Sequence, residues 1–298
     1  MEWFALDNDK LNIVGEGCEV LVPFNDRKAL KDIERSIIKT YRKNIWSKFI
    51  KAIKEYELIQ DGDKIAVAIS GGKDSLLMAK LFQELHKNGN QNFDVEYIAM
   101  DPGYHPDIRK LLEDNCDYLD IPVTIYDTDI FKVADRIAGD YPCYMCARMR
   151  RGALYGKAKE LGCNKLSLGH HFNDVIETTM LNLLCAGSFK TMMPKLKAKN
   201  FENMELIRPL YLIEEQYIQR FIQNSGIWPL NCACMVAAKR IGNKRYEIKD
   251  LIENLKKDFK NVDMSIFRAA QNVNMEAILG WEVDGKKHLF LDEYDKGE

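Results

Sequence analysis

The spacing of apolar residues changes period repeatedly along this chain, and each change marks an element. From Lys28 to Leu58, Ile33, Ile37, Ile38, Tyr41, Ile45, Phe49, Ile53 and Tyr56 recur at intervals of three and four. That predicts one long helical stretch, broken at most once. Ile65 to Ile69 is instead a short apolar run bounded by isoleucines, the pattern of a strand buried on both faces. Helical spacing returns after Asp74-Ser75, with Leu76, Leu77 and Leu81. The same reading predicts strands over 93–100, 122–126, 165–168 and 207–210, and helices over 107–119, 130–137, up to 161 and over 214–224. Val14 to Val22 reads as two short strands around a glycine turn, and the C-terminal part as helical to about Asn272 with a strand-like end at His288 to Leu291.

Strands and helices that alternate with short connections form a parallel sheet covered by helices. The expected fold is therefore α/β: a doubly wound, mostly parallel sheet with helices on both faces and a helical N-terminal extension. Residues 1–58 are expected to form that extension and residues 59–298 the main domain.

Composition narrows the setting. The 298 residues are 46% hydrophobic and 30% charged, an ordinary globular balance. No apolar run approaches bilayer length, and Asp7, Asp9 and Lys10 behind Trp3-Phe4 do not make a signal peptide. A cytoplasmic protein without a membrane partner is expected. The net charge of −2 means that a nucleic-acid partner must be met by a local patch. One candidate is the basic face of the first helical stretch, Arg35, Lys39, Arg42, Lys43, Lys48, Lys51 and Lys54, which reads equally as a solvated face. The eight cysteines are unevenly spaced, which favours metal or sulfur chemistry for some over a disulfide framework. Cys18, Cys116, Cys163 and Cys185 each stand alone and read as packing residues.

The chemistry concentrates at strand ends. Between the strand over 65–69 and its helix lies Ser70-Gly71-Gly72-Lys73. Two residues without Cβ let backbone N–H groups turn inward, and the helix N-terminus adds its positive end. This is a phosphate cradle, with Ser70, Lys73 and Ser75 as side-chain donors; neither G-x-x-x-x-G-K-S/T nor G-x-G-x-x-G can be placed on it. Ligands of such sheets lie beyond the carboxyl ends of the strands. Asp101 and Asp127 fall at such ends, and each reads equally as a ribose or adenine contact and as a turn former.

Cys143 and Cys146, just ahead of a helix, fit a zinc or iron–sulfur ligand pair or a redox dithiol. Arg148, Arg150 and Arg151 on that helix would suit phosphates or RNA. Gly169-His170-His171, with Asp174 at the next helix start, marks the ligand edge of the sheet and reads as a ligand-side and catalytic loop; adjacent histidines point different ways on a helix and make a poor metal pair. Lys190, Lys195, Lys197 and Lys199 form a basic loop around Met192-Met193-Pro194, and Cys232-Ala233-Cys234 precedes Lys239, Arg240, Lys244 and Arg245.

The hexapeptide S-G-G-K-D-S after a strand resembles the signature of the PP-loop ATP pyrophosphatases. The full series of S-G-G-K-D-S, C-x-x-C-x-R-x-R-R-G, L-G-H-H-x-x-D-x-x-E-T and a late cysteine is similar to the tRNA 2-thiocytidine synthetases from about residue 40 onward. Arg208-Pro209-Leu210 and Ala270-Gln271-Asn272-Val273 look like that family's later blocks. The resemblance implies that ATP, with magnesium, adenylates O2 of a tRNA cytidine, and that sulfur carried by a [4Fe–4S] cluster on three cysteines then displaces AMP. It implies ATP binding by Ala68, Ser70, Gly71, Gly72, Lys73, Asp74, Ser75, Asp101, Gly169 and His170, and catalysis by Lys73, Asp74, Asp174 and Arg150. With a near-neutral chain, RNA contacts are expected from local basic clusters, at Arg148, Arg151, Lys190 and Lys195. Expected partners are tRNA and a sulfur donor such as a cysteine desulfurase or sulfide, with a homodimer left open.

Two departures matter. Asn173-Asp174 stands where the family often has two aspartates, so the catalytic role passes only to Asp174. Cys232-Ala233-Cys234 replaces the family's late C-x-x-C, which leaves the third ligand beside Cys143 and Cys146 open between Cys234 and Cys232; the basic run and helix that follow resemble the segment after the family's last cysteine and favour Cys234, with Cys232 as the alternative. Two other readings stay open: thiolation of a free base or other small molecule, and a zinc module on Cys143, Cys146, Cys232 and Cys234 whose nucleotide binding serves regulation.

Overall fold

The computed structural model describes residues 12–13, 19–20, 26–89, 92–130, 133, 142–230 and 244–294. Two compact units divide the chain, one of residues 1–175 and 192–243 and one of residues 176–191 and 244–298.

The first unit opens with β1 (Asn12–Ile13) and β2 (Glu19–Val20), paired antiparallel; most of the span expected over 14–22 lies outside the described residues. The long helical stretch is broken once. α1 (Leu30–Ile38) and α2 (Ser47–Glu55) are joined through a π-helical turn, Arg42–Trp46. Their apolar stripe, Ile33, Ile37, Ile45, Phe49 and Ile53, is buried, whereas Arg35, Lys39, Arg42, Lys43, Lys51 and Lys54 are exposed. Lys48 is the exception in the basic row, because its ammonium pairs with Glu214 at 2.6 Å.

The sheet follows: β3 (Lys64–Ile69), α3 (Lys73–Asn88), β4 (Asp94–Asp101), α4 (Pro106–Tyr118), β5 (Val123–Asp127), α5 (Pro142–Glu160), β6 (Lys165–Ser167), α6 (Phe172–Ala186), β7 (Lys195–Lys197), β8 (Glu205–Ile207) and α7 (Glu215–Ser225). The strand order is β5-β4-β3-β6-β8-β7. Every neighbouring pair is parallel except β7 with β8. The lysines over 195–197, expected in a loop, therefore form an antiparallel edge strand. Pairing with β8 imposes the extended backbone there, and lysines commonly occupy such an edge. The helix expected over 130–137 lies mostly outside the described residues.

β3 shows why the sheet is doubly wound. Ile65, Val67 and Ile69 enter one core with Phe49, Leu77, Leu112 and Phe221, while Ala66 and Ala68 enter another with Ile98, Tyr155, Ala158 and Leu206. A period of two with both faces apolar requires helices on both sides. Two lysines are buried in this unit with their charge compensated. Lys165 bonds Asp63 at 2.7 Å and the Leu58 carbonyl at 3.0 Å. Lys80 bonds Glu34 at 2.8 Å and the Leu119 carbonyl at 2.9 Å.

In the second unit, α8 (Lys244–Asp258) and α9 (Val262–Ala269) bury Ile248, Ile252 and Phe267. Glu177, 5% exposed, accepts a hydrogen bond from Arg245 at 2.8 Å. The expected C-terminal strand is the second half of a hairpin, β9 (Gly280–Val283) with β10 (Lys286–Leu289), ahead of α10 (Leu291–Tyr294). No helix among the described residues is long and apolar enough to cross a membrane.

Candidate active site

The chain winds outward from β3 through β4 to β5, then returns to β6 on the other side of β3. Such a reversal leaves room for a ligand outside the carboxyl ends of β3 and β6, the crevice expected of this topology. The loop after β3 and the loop after β6 both border it.

The first loop is a tight turn. Gly71 has φ +77°, and its carbonyl accepts the Leu230 N–H at 2.9 Å. A Cβ on Gly71 would lie 2.5 Å from Leu230 Cδ1, so both conformation and space require glycine. Gly72 caps α3 with extended backbone. Ser75 closes the turn: its hydroxyl donates to the Gly72 carbonyl at 2.9 Å and accepts the Ser70 N–H at 3.1 Å. Its proton thus serves the loop, while Ser70 and Lys73 stand at the rim. Gly169, in the second loop, is packed so closely that a Cβ would lie 3.2 Å from the Ser75 nitrogen.

Three helix starts meet at the crevice. Lys73, the first residue of α3, places its ammonium 3.0 Å from Asp74 Oδ2 and 3.1 Å from Glu215 Oε1, at the start of α7. Burial alone would lower the Lys73 pKa, but the charges of Asp74 and Glu215 outweigh it and raise it. α6 begins with a reciprocal cap in which the His171 N–H donates to Asp174 Oδ2 at 2.8 Å and the Asp174 N–H to His171 Nδ1 at 3.4 Å. With Nδ1 accepting, the neutral ring carries its proton on Nε2, which faces Asp74 at 3.7 Å and Glu215 at 3.9 Å. Asn173 Oδ1 accepts the Glu215 N–H at 3.0 Å and so ties α6 to α7.

Lys73, Asp74, Gly169, His170 and Asp174 thus come together at one crevice. Asp74 Oδ1 is buried without a hydrogen-bond partner, which suits a cation ligand. Among the described residues, no group of three or more His, Cys, Asp or Glu side chains forms a metal centre. Ala68 is buried within β3. Asp101, at the end of β4, accepts the Gly103 N–H at 2.8 Å and the Tyr104 N–H at 2.6 Å on Oδ1, and Arg109 at 2.9 Å on Oδ2. Arg109 also bonds Asp127, so both strand-end aspartates are engaged in local structure.

On α5, Arg148 and Arg151 are exposed, and Arg150 donates to the Tyr104 hydroxyl at 3.3 Å. Lys195 Nζ donates to the Glu57 carbonyl at 3.0 Å; Lys190 is exposed and belongs to the second unit. Cys143 and Cys146 lie in the first turn of α5, but their side chains, with Cys232 and Cys234, fall outside the described residues. Three participants had no role assigned from sequence: Glu215, His171 and Asn173. A glutamate at a helix start reads as a dipole-matching residue, and its contact with Lys73 depends on chain packing.

A diglycine turn feeding a helix at the switch point of a parallel sheet defines the class: a PP-loop protein. Residues 41–229 match the family described as PP-loop domain. The chain is 35% identical over 237 residues to the tRNA-cytidine(32) 2-sulfurtransferase of Pelobacter propionicus, covering 79% of this chain and 87% of that one. It is 36% identical over 240 residues to the protein of the same name from Geotalea daltonii, covering 80% and 94%. Among solved structures it is similar to the U34-tRNA thiolase NcsA from Methanococcus maripaludis with its [4Fe–4S] cluster, at 26% identity and a TM-score of 0.59 over 76% of each chain. The chain belongs to the PP-loop family and, within it, to the tRNA-cytidine 2-sulfurtransferase family, and it is an enzyme.

Proposed function

We propose that this enzyme uses ATP to replace O2 of a tRNA cytidine by sulfur. The observation that carries the reading is the Lys73 ammonium, held between Asp74 and Glu215 at the mouth of the Gly71-Gly72 turn in a chain so closely related to tRNA-cytidine 2-sulfurtransferases. In the first half-reaction the base oxygen attacks the α-phosphorus of ATP, the bond to the bridging oxygen breaks, and pyrophosphate departs. Lys73, the loop N–H groups and the α3 N-terminus oppose the charge that collects on that leaving group. Magnesium, held by Asp74 and Asp174, would neutralise more of it when bound. In the second half-reaction a sulfur nucleophile bonds to C2, the C2–O bond breaks, and AMP carries the oxygen away.

Cys143, Cys146 and Cys234, with Cys232 as the alternative, are thiol donors of the kind that hold iron–sulfur clusters. A cluster on three such thiolates would supply a site for the incoming sulfide, delivered by a cysteine desulfurase or as free sulfide. Arg148, Arg151, Lys190 and Lys195 are the candidate RNA contacts, with Arg150 beside the activated base. The exposed basic row of α1 and α2 extends this reading to the segment before residue 59.

The test is anaerobic thiolation of unmodified tRNA, with 2-thiocytidine measured by mass spectrometry and pyrophosphate release measured in parallel. Lys73→Ala and Asp74→Ala should each cut RNA-dependent pyrophosphate release by about a hundredfold or more. Wild-type release in either variant would overturn the assignment. Iron content should collapse in Cys143→Ala, Cys146→Ala and Cys234→Ala and survive in Cys232→Ala. The reverse pattern at the last two would exchange their roles.

A further inference from the structure

Arg208 follows β8 directly, at the carboxyl edge of the sheet, and is only 5% exposed. Its backbone is fixed by a bond from its N–H to the Pro194 carbonyl at 2.9 Å and by the Tyr211 N–H on its own carbonyl at 3.2 Å. The side chain is less satisfied. Nη1 donates to the Met193 carbonyl, but the buried Nε has no hydrogen-bond partner. Among the described residues no carboxylate forms an ion pair with this guanidinium. Burial, together with the neighbouring Arg151, lowers its pKa to about 10 against weaker support from Tyr155, Tyr211 and Asp174.

A buried cation held near a second cation is a repulsive arrangement that an anion between them relieves. A guanidinium fork is also the donor geometry that phosphate oxygens match. β6 alone separates β8 from β3, so Arg208 stands about two strand spacings, or roughly 10 Å, from the glycine turn. That is close enough for both side chains to serve one nucleotide. RNA backbone phosphates stay near the surface, where they meet exposed residues such as Arg148. A side chain as deep as Arg208 is reached by a group that enters the crevice. Asp174, the candidate magnesium ligand, lies on the same side.

We propose that Arg208, assisted by Arg151, binds the α-phosphate of the nucleotide, the group the base attacks and the one retained after pyrophosphate leaves. This rests on the nucleotide reading of the crevice.

The experiment is calorimetric titration of the folded full-length protein with AMP, with inorganic pyrophosphate and with unmodified tRNA, in wild type, Arg208→Gln and Arg208→Lys. Arg208→Gln should weaken AMP about tenfold or more, the loss of a charged hydrogen bond, and leave pyrophosphate and tRNA within about twofold. Arg208→Lys, which keeps charge without the fork, should bind AMP between wild type and Arg208→Gln. It also carries the test alone if Arg208→Gln does not fold. AMP bound as in wild type by both variants would overturn the proposal. So would a loss confined to tRNA, which would assign the arginine to an RNA phosphate, or an equal loss of all three with a lowered melting temperature, which would make it a strut for Met193. Failure of wild type itself to bind AMP or pyrophosphate would overturn the nucleotide reading of the crevice, a separate result.

Discussion

The ammonium of Lys73 stands 3.1 Å from the carboxylate of Glu215, joining the first turns of α3 and α7 across the crevice. With Asp74 on its other side, Lys73 has a folded pKa raised above the ordinary 10.5. A raised pKa contributes stability that is complete below the unfolded pKa and fades as pH climbs through the folded one. Lys73→Met leaves two carboxylates facing each other and should cost roughly 1.5–3 kcal/mol near neutral pH. The gap between wild type and variant in urea unfolding should stay flat from about pH 7 to 10 and shrink above about pH 10.5. A gap that closes by pH 8 would mean that Asp74 and Glu215 do not set the lysine's charge.

Gly71 supports a second prediction. Alanine there takes a left-handed backbone, worth about 1–2 kcal/mol of strain, and also meets Leu230 Cδ1 at 2.5 Å. Gly71→Ala should therefore destabilise by more than the backbone term alone. Leu230→Ala in the same chain should recover the clash but not the strain. Additivity of the two single effects in urea unfolding would show that the two side chains are not coupled.

The parts of this molecule that were legible in its sequence are those decided within a few residues. Ile65 to Ile69 announces a doubly covered strand because every position is apolar, and the structure divides those positions between two cores. Ser70 to Ser75 announces a tight turn between strand and helix because Gly71 and Gly72 allow backbone that other residues resist, and Gly71 takes φ +77° there. What stayed hidden depends on distant segments. Lys195 and Lys197 look like loop residues until β8 pairs with them. Glu215 looks like a helix-start residue until α7 lies against α3. Arg208, beside a proline, gives no sign of its burial. Cys143, Cys146, Cys232 and Cys234 lie outside the described residues in whole or in side chain, and their grouping is still a reading of spacing and kinship.

Lys165 tests whether a buried charge can be exchanged for packing. Its ammonium is enclosed by Asp63 and the Leu58 carbonyl at the amino end of β6. That is the sheet edge opposite the crevice. Lys165→Met strands the Asp63 carboxylate and should cost about 3–5 kcal/mol. Asp63 keeps the Gln60 N–H at 2.7 Å and the Asn164 amide at 2.7 Å, which favours the low end of that range. Lys165→Met with Asp63→Asn should recover part of the loss. Pyrophosphate release per folded molecule should be unchanged in both variants. A fall in turnover at full folding would connect this edge to the chemistry.

The last prediction separates two basic side chains of the same unit by their salt response. Arg148 is exposed on α5, with no hydrogen bond or ion pair within the described residues, and is free to neutralise an RNA phosphate. Lys195 is engaged: it donates to the Glu57 carbonyl at 3.0 Å and lies 3.5 Å from Glu205. A phosphate that recruits Lys195 must first displace these partners, so its net gain is smaller. Each neutralised phosphate adds roughly 0.7–0.9 to the slope of log affinity against log salt. Arg148→Ala should therefore lower the magnitude of the tRNA slope by nearly that amount, with weaker binding at low salt. Lys195→Ala should lower it by clearly less, and should also loosen the β7 edge enough to reduce the melting temperature slightly. Filter binding at three or more salt concentrations measures both slopes. If Lys195→Ala flattened the slope by a whole phosphate and Arg148→Ala left it unchanged, the RNA path would run along β7 and away from α5.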